Sequence, residues 1–271
     1  MRDDDGLPID EVGPWAKEKH QRLHKYVDIS RGVRRKFLRN SQCATYIDLF
    51  CRSGRALIRE TDDKIDGSPL VAFKSARDGG APLSEIHVAD LEEEKVTAAA
   101  KRIGGAGGAA TTYVGKAEDV ATRIVERLNP YGLHFAFLDP YNLDDLPFSV
   151  IRAFSDLRRI DMLIHLSAQD LQRNLDAYSM STDGPLDRFA PGWRTAVSQK
   201  QTQKATRAAY IAYWASKMEA LGLPPARRTE LVSGTTKNQR LYWLVFVSRS
   251  DFAKSLWDKI RRISGQGELS L

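Results

Sequence analysis

The chain has 271 residues, 42% of them hydrophobic, enough for one large domain or a domain carrying an insertion. No run approaches the roughly 18 consecutive apolar residues of a membrane span, and Met1 to Asp5 is acidic where a secretory leader is basic and then apolar. A cytoplasmic protein without membrane association is expected. The two cysteines, Cys43 and Cys51, cannot complete a four-ligand zinc site, so no metal is expected. Lys and Arg total 41 against 35 Asp and Glu, a net charge of +6, which suits a polyanionic partner if the charge gathers on one face.

In chain order, Pro14 marks a helix start, and Tyr26, Ile29, Val33 and Phe37 continue an amphipathic period to about Leu38. The β-branched and aromatic run Thr45 to Phe50 predicts a strand that ends in a loop carrying Ser53 and Gly54. Gly67-Ser68-Pro69 then opens a helix. A second strand covers Ile86 to Ala89 and ends at Asp90, followed by a Glu-, Lys- and Ala-rich helix from Glu92 to Ile103, closed by Gly104-Gly105. Strands at Thr111 to Val114, His134 to Leu138 and Asp161 to Leu166 alternate with helices at about Glu118 to Leu128 and Phe148 to Leu157. This βα alternation specifies an α/β, Rossmann-like fold with a mostly parallel sheet covered on both faces. Residues Leu171 to about Leu221 read as a helical insertion within a single domain. Arg227 to Val232 and Leu241 to Val247, joined by a turn at Ser233 to Asn238, read as an antiparallel C-terminal hairpin before a last helix from about Asp251 to Ile263.

Ligands of an open parallel sheet bind beyond the carboxyl ends of its strands, so chemistry is sought there. Asp48, Phe50 and Gly54 end the first strand, and Gly54 would let backbone pass close to a ligand. Asp90, with Leu91 beside it, ends the second, where an acid can accept both ribose hydroxyls of an adenosine group. Ala117 and Glu118 follow the third and could meet an adenine ring, or simply open a helix. Asp139-Pro140-Tyr141 follows the fourth: the acid can hold an amine while the ring stacks on a planar acceptor, or the Asp can cap a turn. Ser167 and Gln169 follow the fifth, facing substrate or capping a helix. The Gly-x-Gly-x-x-Gly fingerprint of a nicotinamide enzyme is missing from the first loop.

Trp15, Lys19-His20, Leu23 and Tyr26, Tyr46-Ile47-Asp48-Leu49-Phe50 with Gly54, Gly67-Ser68-Pro69-Leu70, Leu138-Asp139-Pro140-Tyr141 and Leu241 to Ser248 together resemble the three-Cys-motif partner (TcmP) family, whose domain is methyltransferase-like. The resemblance implies a class I S-adenosylmethionine-dependent methyltransferase fold and a separate radical-type partner protein carrying a three-cysteine motif. The loop departs from the family pattern, with Cys51-Arg52-Ser53-Gly54 in place of Ala-Gly-Pro-Gly. The expectation is methyl transfer to a nitrogen of a nucleic acid or nucleotide-like substrate. Asp139, Pro140 and Tyr141 would be catalytic, Asp48, Phe50, Gly54, Asp90, Leu91, Ala117 and Glu118 would surround the cofactor, and Lys19, His20, Ser167 and Gln169 would contact substrate. The alternative is a degenerate methyltransferase fold that binds nucleic acid or the partner protein.

Two basic clusters, Arg31, Arg34, Arg35, Lys36 and Arg39, and Arg194, Lys200, Lys204 and Arg207, fit phosphate contacts or a solvated surface equally. Tyr210, Tyr213 and Trp214 could stack on bases, but at helical spacing they read more readily as core.

Overall fold

The computed structural model describes residues 1–271 apart from 41, 60, 227, 234–239, 264–267 and 271; of residues 228–233, 240–241, 261–263 and 268–270 it describes the backbone only. The chain divides into two compact units, Met1–Phe137 with Arg158–Ile160, and Leu138–Leu157 with Asp161–Leu271.

The first unit begins with a short strand, β1 (Asp10–Val12), and two helices, α1 (Trp15–Ile29) and α2 (Arg31–Arg39). One continuous helix to Leu38 is expected from the apolar period; it breaks at Ser30, whose hydroxyl turns back onto the Val27 carbonyl at 3.1 Å. The buried Arg34 holds the break, donating to that carbonyl, to Ser30 Oγ and to the Ala81 carbonyl. Next come β2 (Ala44–Asp48), β3 (Arg55–Ile58), β4 (Lys64–Asp66) and α3 (Ser68–Asp78), the last opened by Pro69 in its first turn. The unit continues through β5 (Glu85–Asp90), α4 (Glu93–Gly105), β6 (Thr111–Val114), α5 (Ala117–Val125) and β7 (Leu133–Leu138). Four of these strands pair in parallel in the order β7-β2-β5-β6. Every residue of β2 is buried, as a strand covered on both faces must be. The chain steps outward from β2 to β5 and β6 and then crosses to the other side of β2 for β7. The switch of direction therefore falls beside β2, and in open parallel sheets ligands are received at such a switch, beyond the carboxyl ends of the strands.

Strands β1, β3 and β4 form a separate three-stranded sheet that periodicity does not reveal. A charged knot secures it. Asp3 receives Lys64 at 2.6 Å, Arg55 at 2.8 Å and Arg102 at 3.2 Å. Burial works to raise the Asp3 carboxyl, but the bonds from Lys64 and Arg55 outweigh it and hold the group well below the usual carboxylate range.

The second unit holds a 3-10 turn at Leu143–Asp145, α6 (Phe148–Ser155), β8 (Ile160–Ser167), and the helices α7 (Ala168–Met180), α8 (Pro185–Phe189), α9 (Trp193–Ala196) and α10 (Gln203–Ala220). These four helices occupy the span read as a helical insertion. Their core is aromatic: Phe189 stacks on Trp214 at 4.9 Å, and Trp193 meets Tyr210 edge-on at 5.7 Å. The unit ends with β9 (Arg228–Ser233), β10 (Arg240–Ser248), α11 (Asp251–Ile263) and β11 (Glu268–Ser270). Strand β10 pairs antiparallel with both β8 and β9, giving the expected C-terminal hairpin; β11, not expected, adds antiparallel to β9. The expected turn falls mostly in 234–239, outside the described residues. The fold class is α/β, a parallel sheet with an antiparallel C-terminal hairpin. No described helix is long and apolar enough to cross a membrane.

Candidate functional site

In the first unit the loop after β2 is closed on itself. Asp48 is fully buried, and its carboxylate accepts Ser68 Oγ at 2.6 Å, Tyr46 Oη at 3.0 Å and the Phe50 amide at 3.1 Å. The next amides are also taken: Cys51 by the Ala89 carbonyl, Arg52 by Asp90 Oδ2 at 3.0 Å, Ser53 by Asp10 Oδ2 at 2.9 Å, and Gly54 by the Cys51 carbonyl. Asp10 also receives Ser53 Oγ at 2.6 Å, so β1 braces the loop from outside. Gly54 has φ +78°, and a Cβ there would lie 3.0 Å from the Ala99 Cα; its missing side chain lets the loop pack on α4. A Cβ on Gly67 would in turn strike the Gly54 backbone at 2.8 Å.

Asp90 sits half-buried at the end of β5. Besides the Arg52 amide, it accepts the Glu92 amide at 3.3 Å, while its own carbonyl receives the Gly115 amide. A carboxylate has about four acceptor positions. Two amides leave room for a vicinal diol, so the residues present fit the ribose of an adenosyl group. Leu91 is exposed beside it, and across the β6 turn Ala117 is buried and Glu118 half-buried in the first turn of α5. Phe50, Asp90, Leu91, Ala117 and Glu118 thus follow the carboxyl ends of β2, β5 and β6, whereas Gly54 lies further along its loop, against α4. Lys19 is buried and His20 half-buried on α1, which packs on α3. Burial raises the Cys51 thiol well above its ordinary value, leaving it an inert core group.

In the second unit, Asp139 and Pro140 are buried whereas Tyr141 is 78% exposed. Asn142 caps the following turn, accepting the amides of Asp144 and Asp145, and Asp145 returns a bond to the Asn142 amide. Ser167 caps α7 by accepting the Asp170 amide at 3.0 Å, and half-buried Gln169 lies in the first turn. Asp170 then reaches back to the Leu143 amide at 2.9 Å, which brings the Asp139 loop together with the Ser167 cap. Asn174 and Tyr178 also bond Asp170, and burial together with that carboxylate pushes the Tyr178 hydroxyl up to about 12.

Two participants escape the sequence reading. His165 Nδ1 lies 3.3 Å from Asp139 Oδ1, in ion-pair range when the ring is protonated, and the ring packs on Tyr242 at 4.5 Å. Its signal was an ionisable residue inside the apolar run Met162 to Leu166. Asp10 had no signal, because it is one acid in a polar lead. The basic clusters are partly committed internally: Arg31 pairs with Asp28, Arg34 and Arg35 donate to carbonyls of residues 27 and 79–81, and Arg194 binds Asp187. Lys200 and Lys204 are exposed, and Tyr210 and Trp214 are core.

No family model matches this chain, and no curated protein does. Its likeness is to solved structures. Protein LPL1258 from Legionella pneumophila str. Philadelphia 1 superposes with a TM-score of 0.54 at 9% identity, over 92% of this chain and 96% of that one. The N-methyltransferase NodS from Bradyrhizobium japonicum WM9, crystallised with S-adenosyl-L-homocysteine, gives 0.46 at 11% identity over 92% and 94%. A putative RNA methyltransferase, PH1948 from Pyrococcus horikoshii, gives 0.42 at 9% identity over 90% and 93%. The likeness to the Legionella protein shows the fold.

Proposed function

We propose that the protein is an S-adenosylmethionine-dependent methyltransferase acting on a nitrogen of a nucleic acid or nucleotide-like substrate. The observation that carries this reading is Asp90, fixed by two backbone amides at the carboxyl end of β5 with acceptor positions left for a diol. S-adenosylmethionine, when bound, supplies an electrophilic sulfonium methyl group. Asp90 holds the ribose, and Phe50, Leu91, Ala117 and Glu118 border the adenine. Asp48 shapes the loop from beneath. Asp139 accepts an N–H of the acceptor and so orients its lone pair, with Pro140 fixing the turn and exposed Tyr141 offering a stacking face. The polar groups offered to substrate are Lys19 and His20 in the first unit and, by themselves, Ser167 and Gln169 in the second. The net charge of +6 and exposed Lys200 and Lys204 suit a phosphate-bearing substrate.

One observation favours a second reading: every amide from Phe50 to Gly54 is satisfied within the protein. A loop so closed suits a fold retained to bind nucleic acid or, as the resemblance to three-Cys-motif partner proteins suggests, a radical-type protein. Calorimetry separates the two. The methyltransferase reading expects S-adenosylmethionine and S-adenosylhomocysteine to bind, with Asp90→Ala weakening both by about tenfold or more. No binding of either compound to the wild type removes it.

A further inference from the structure

Arg52 occupies a position that suits it poorly as backbone and leaves its side chain uncommitted. Its φ is +50°, in the left-handed region that costs any residue other than glycine, and its amide is pinned there by Asp90 at 3.0 Å. The guanidinium has no hydrogen-bond or ion-pair partner among the described residues. Its cationic neighbours differ. Arg55 binds Asp3 and Asp4, Arg102 binds Asp3, Asp5 and the Ser53 carbonyl, and Lys95 binds Glu92 with Asp10 at 3.5 Å.

Glycine-rich loops ordinarily receive anionic groups on their backbone N–H donors. Here that route is shut, because the five consecutive amides from Phe50 to Gly54 all have internal acceptors. The Ser53 hydroxyl is buried between Asp10 and the Arg55 carbonyl. The loop's uncommitted polar donor, among the described residues, is the Arg52 guanidinium.

We propose that Arg52 binds the carboxylate of the cofactor's amino-acid end, a side-chain fork doing what backbone amides do in an open loop. This inference rests on the cofactor reading above. A planar guanidinium matches a carboxylate with two parallel N–H···O bonds, and a backbone strained at a ligand edge is the kind of cost retained for binding.

The test uses two adenosyl compounds that differ in the group concerned: S-adenosylhomocysteine, which carries the carboxylate, and 5′-methylthioadenosine, which lacks the amino-acid end. Arg52→Gly is the informative variant, since glycine accepts φ +50° and the protein should melt at or above the wild-type temperature. The expected result is a loss of about 10- to 100-fold in S-adenosylhomocysteine affinity with 5′-methylthioadenosine unchanged. Arg52→Lys, which keeps the charge and loses the fork, should fall between. Equal weakening of both compounds, or weakening of neither, overturns the role of Arg52 while leaving the cofactor reading intact. If neither compound binds the wild type, the cofactor reading falls and this proposal with it.

Discussion

The loops after β2 and after β7 both follow buried parallel strands, yet they are built in opposite ways. Residues 50–54 are fastened from several sides: Asp48 below, Asp90 from the next strand and Asp10 from β1 take their amides, and Gly54 packs on Ala99. Residues 139–145 are fastened mainly by their own Asn142 cap and by one outside carboxylate, Asp170, and they hold Tyr141 out into solvent. The first loop presents a charge from a closed frame. The second presents an aromatic face from a locally made turn. Strand ends in an α/β fold therefore set where ligand groups can appear, while the carboxylates around each loop decide which groups remain to be offered.

This contrast can be broken by mutation. Removing the first frame should cost most: Asp48→Ala leaves Tyr46 Oη, Ser68 Oγ and the Phe50 amide without their buried acceptor, a loss of about 3 kcal/mol or more by denaturant unfolding. A loss below about 1 kcal/mol would show that the first loop is held by packing alone. Asp170→Asn in the second unit should cost less, about 1–2 kcal/mol, because its one amide oxygen can still accept from Asn174 and Tyr178 while only the bond from the Leu143 amide is lost. The same variant should lower the Tyr178 titration from about 12, since the Asp170 charge adds to the effect of burial; ultraviolet titration of the tyrosinate reads it. An unmoved midpoint would leave burial as the whole cause. Tyr141→Ala should change stability least, within about 0.5 kcal/mol, while impairing any transfer that stacks its substrate on the ring. A clear drop in stability there would show that Tyr141 is packed in solution and that the contrast is false.

The same difference explains what could be read in advance. The Ser167 cap and the helices opened by Pro69 and Glu118 are local in sequence, so residue type announces them, whereas the turn after β7 is capped by Asn142 and the sequence pointed to Asp139. The clamp on the first loop joins residues 10, 48, 53 and 90, and no window of sequence contains it. Strands β1 and β4 escaped for a related reason: three residues each and polar, they exist because β3 lies between them. The break at Ser30 is hidden likewise, because the apolar period runs through it while Arg34 enforces it by reaching Ala81.

By itself the sequence determined the βα alternation, the buried strands β2, β5, β7 and β8, the helical span after β8 and the antiparallel C-terminal hairpin. Those follow from hydrophobic periodicity and turn chemistry, which act over a few residues. Only the tertiary structure decided that the amides of residues 50–54 are closed, that Asp90 faces Arg52 and that His165 stands beside Asp139. Each of those depends on which buried donor finds which acceptor across strands far apart in the chain, and satisfying such groups is a condition on the assembled fold.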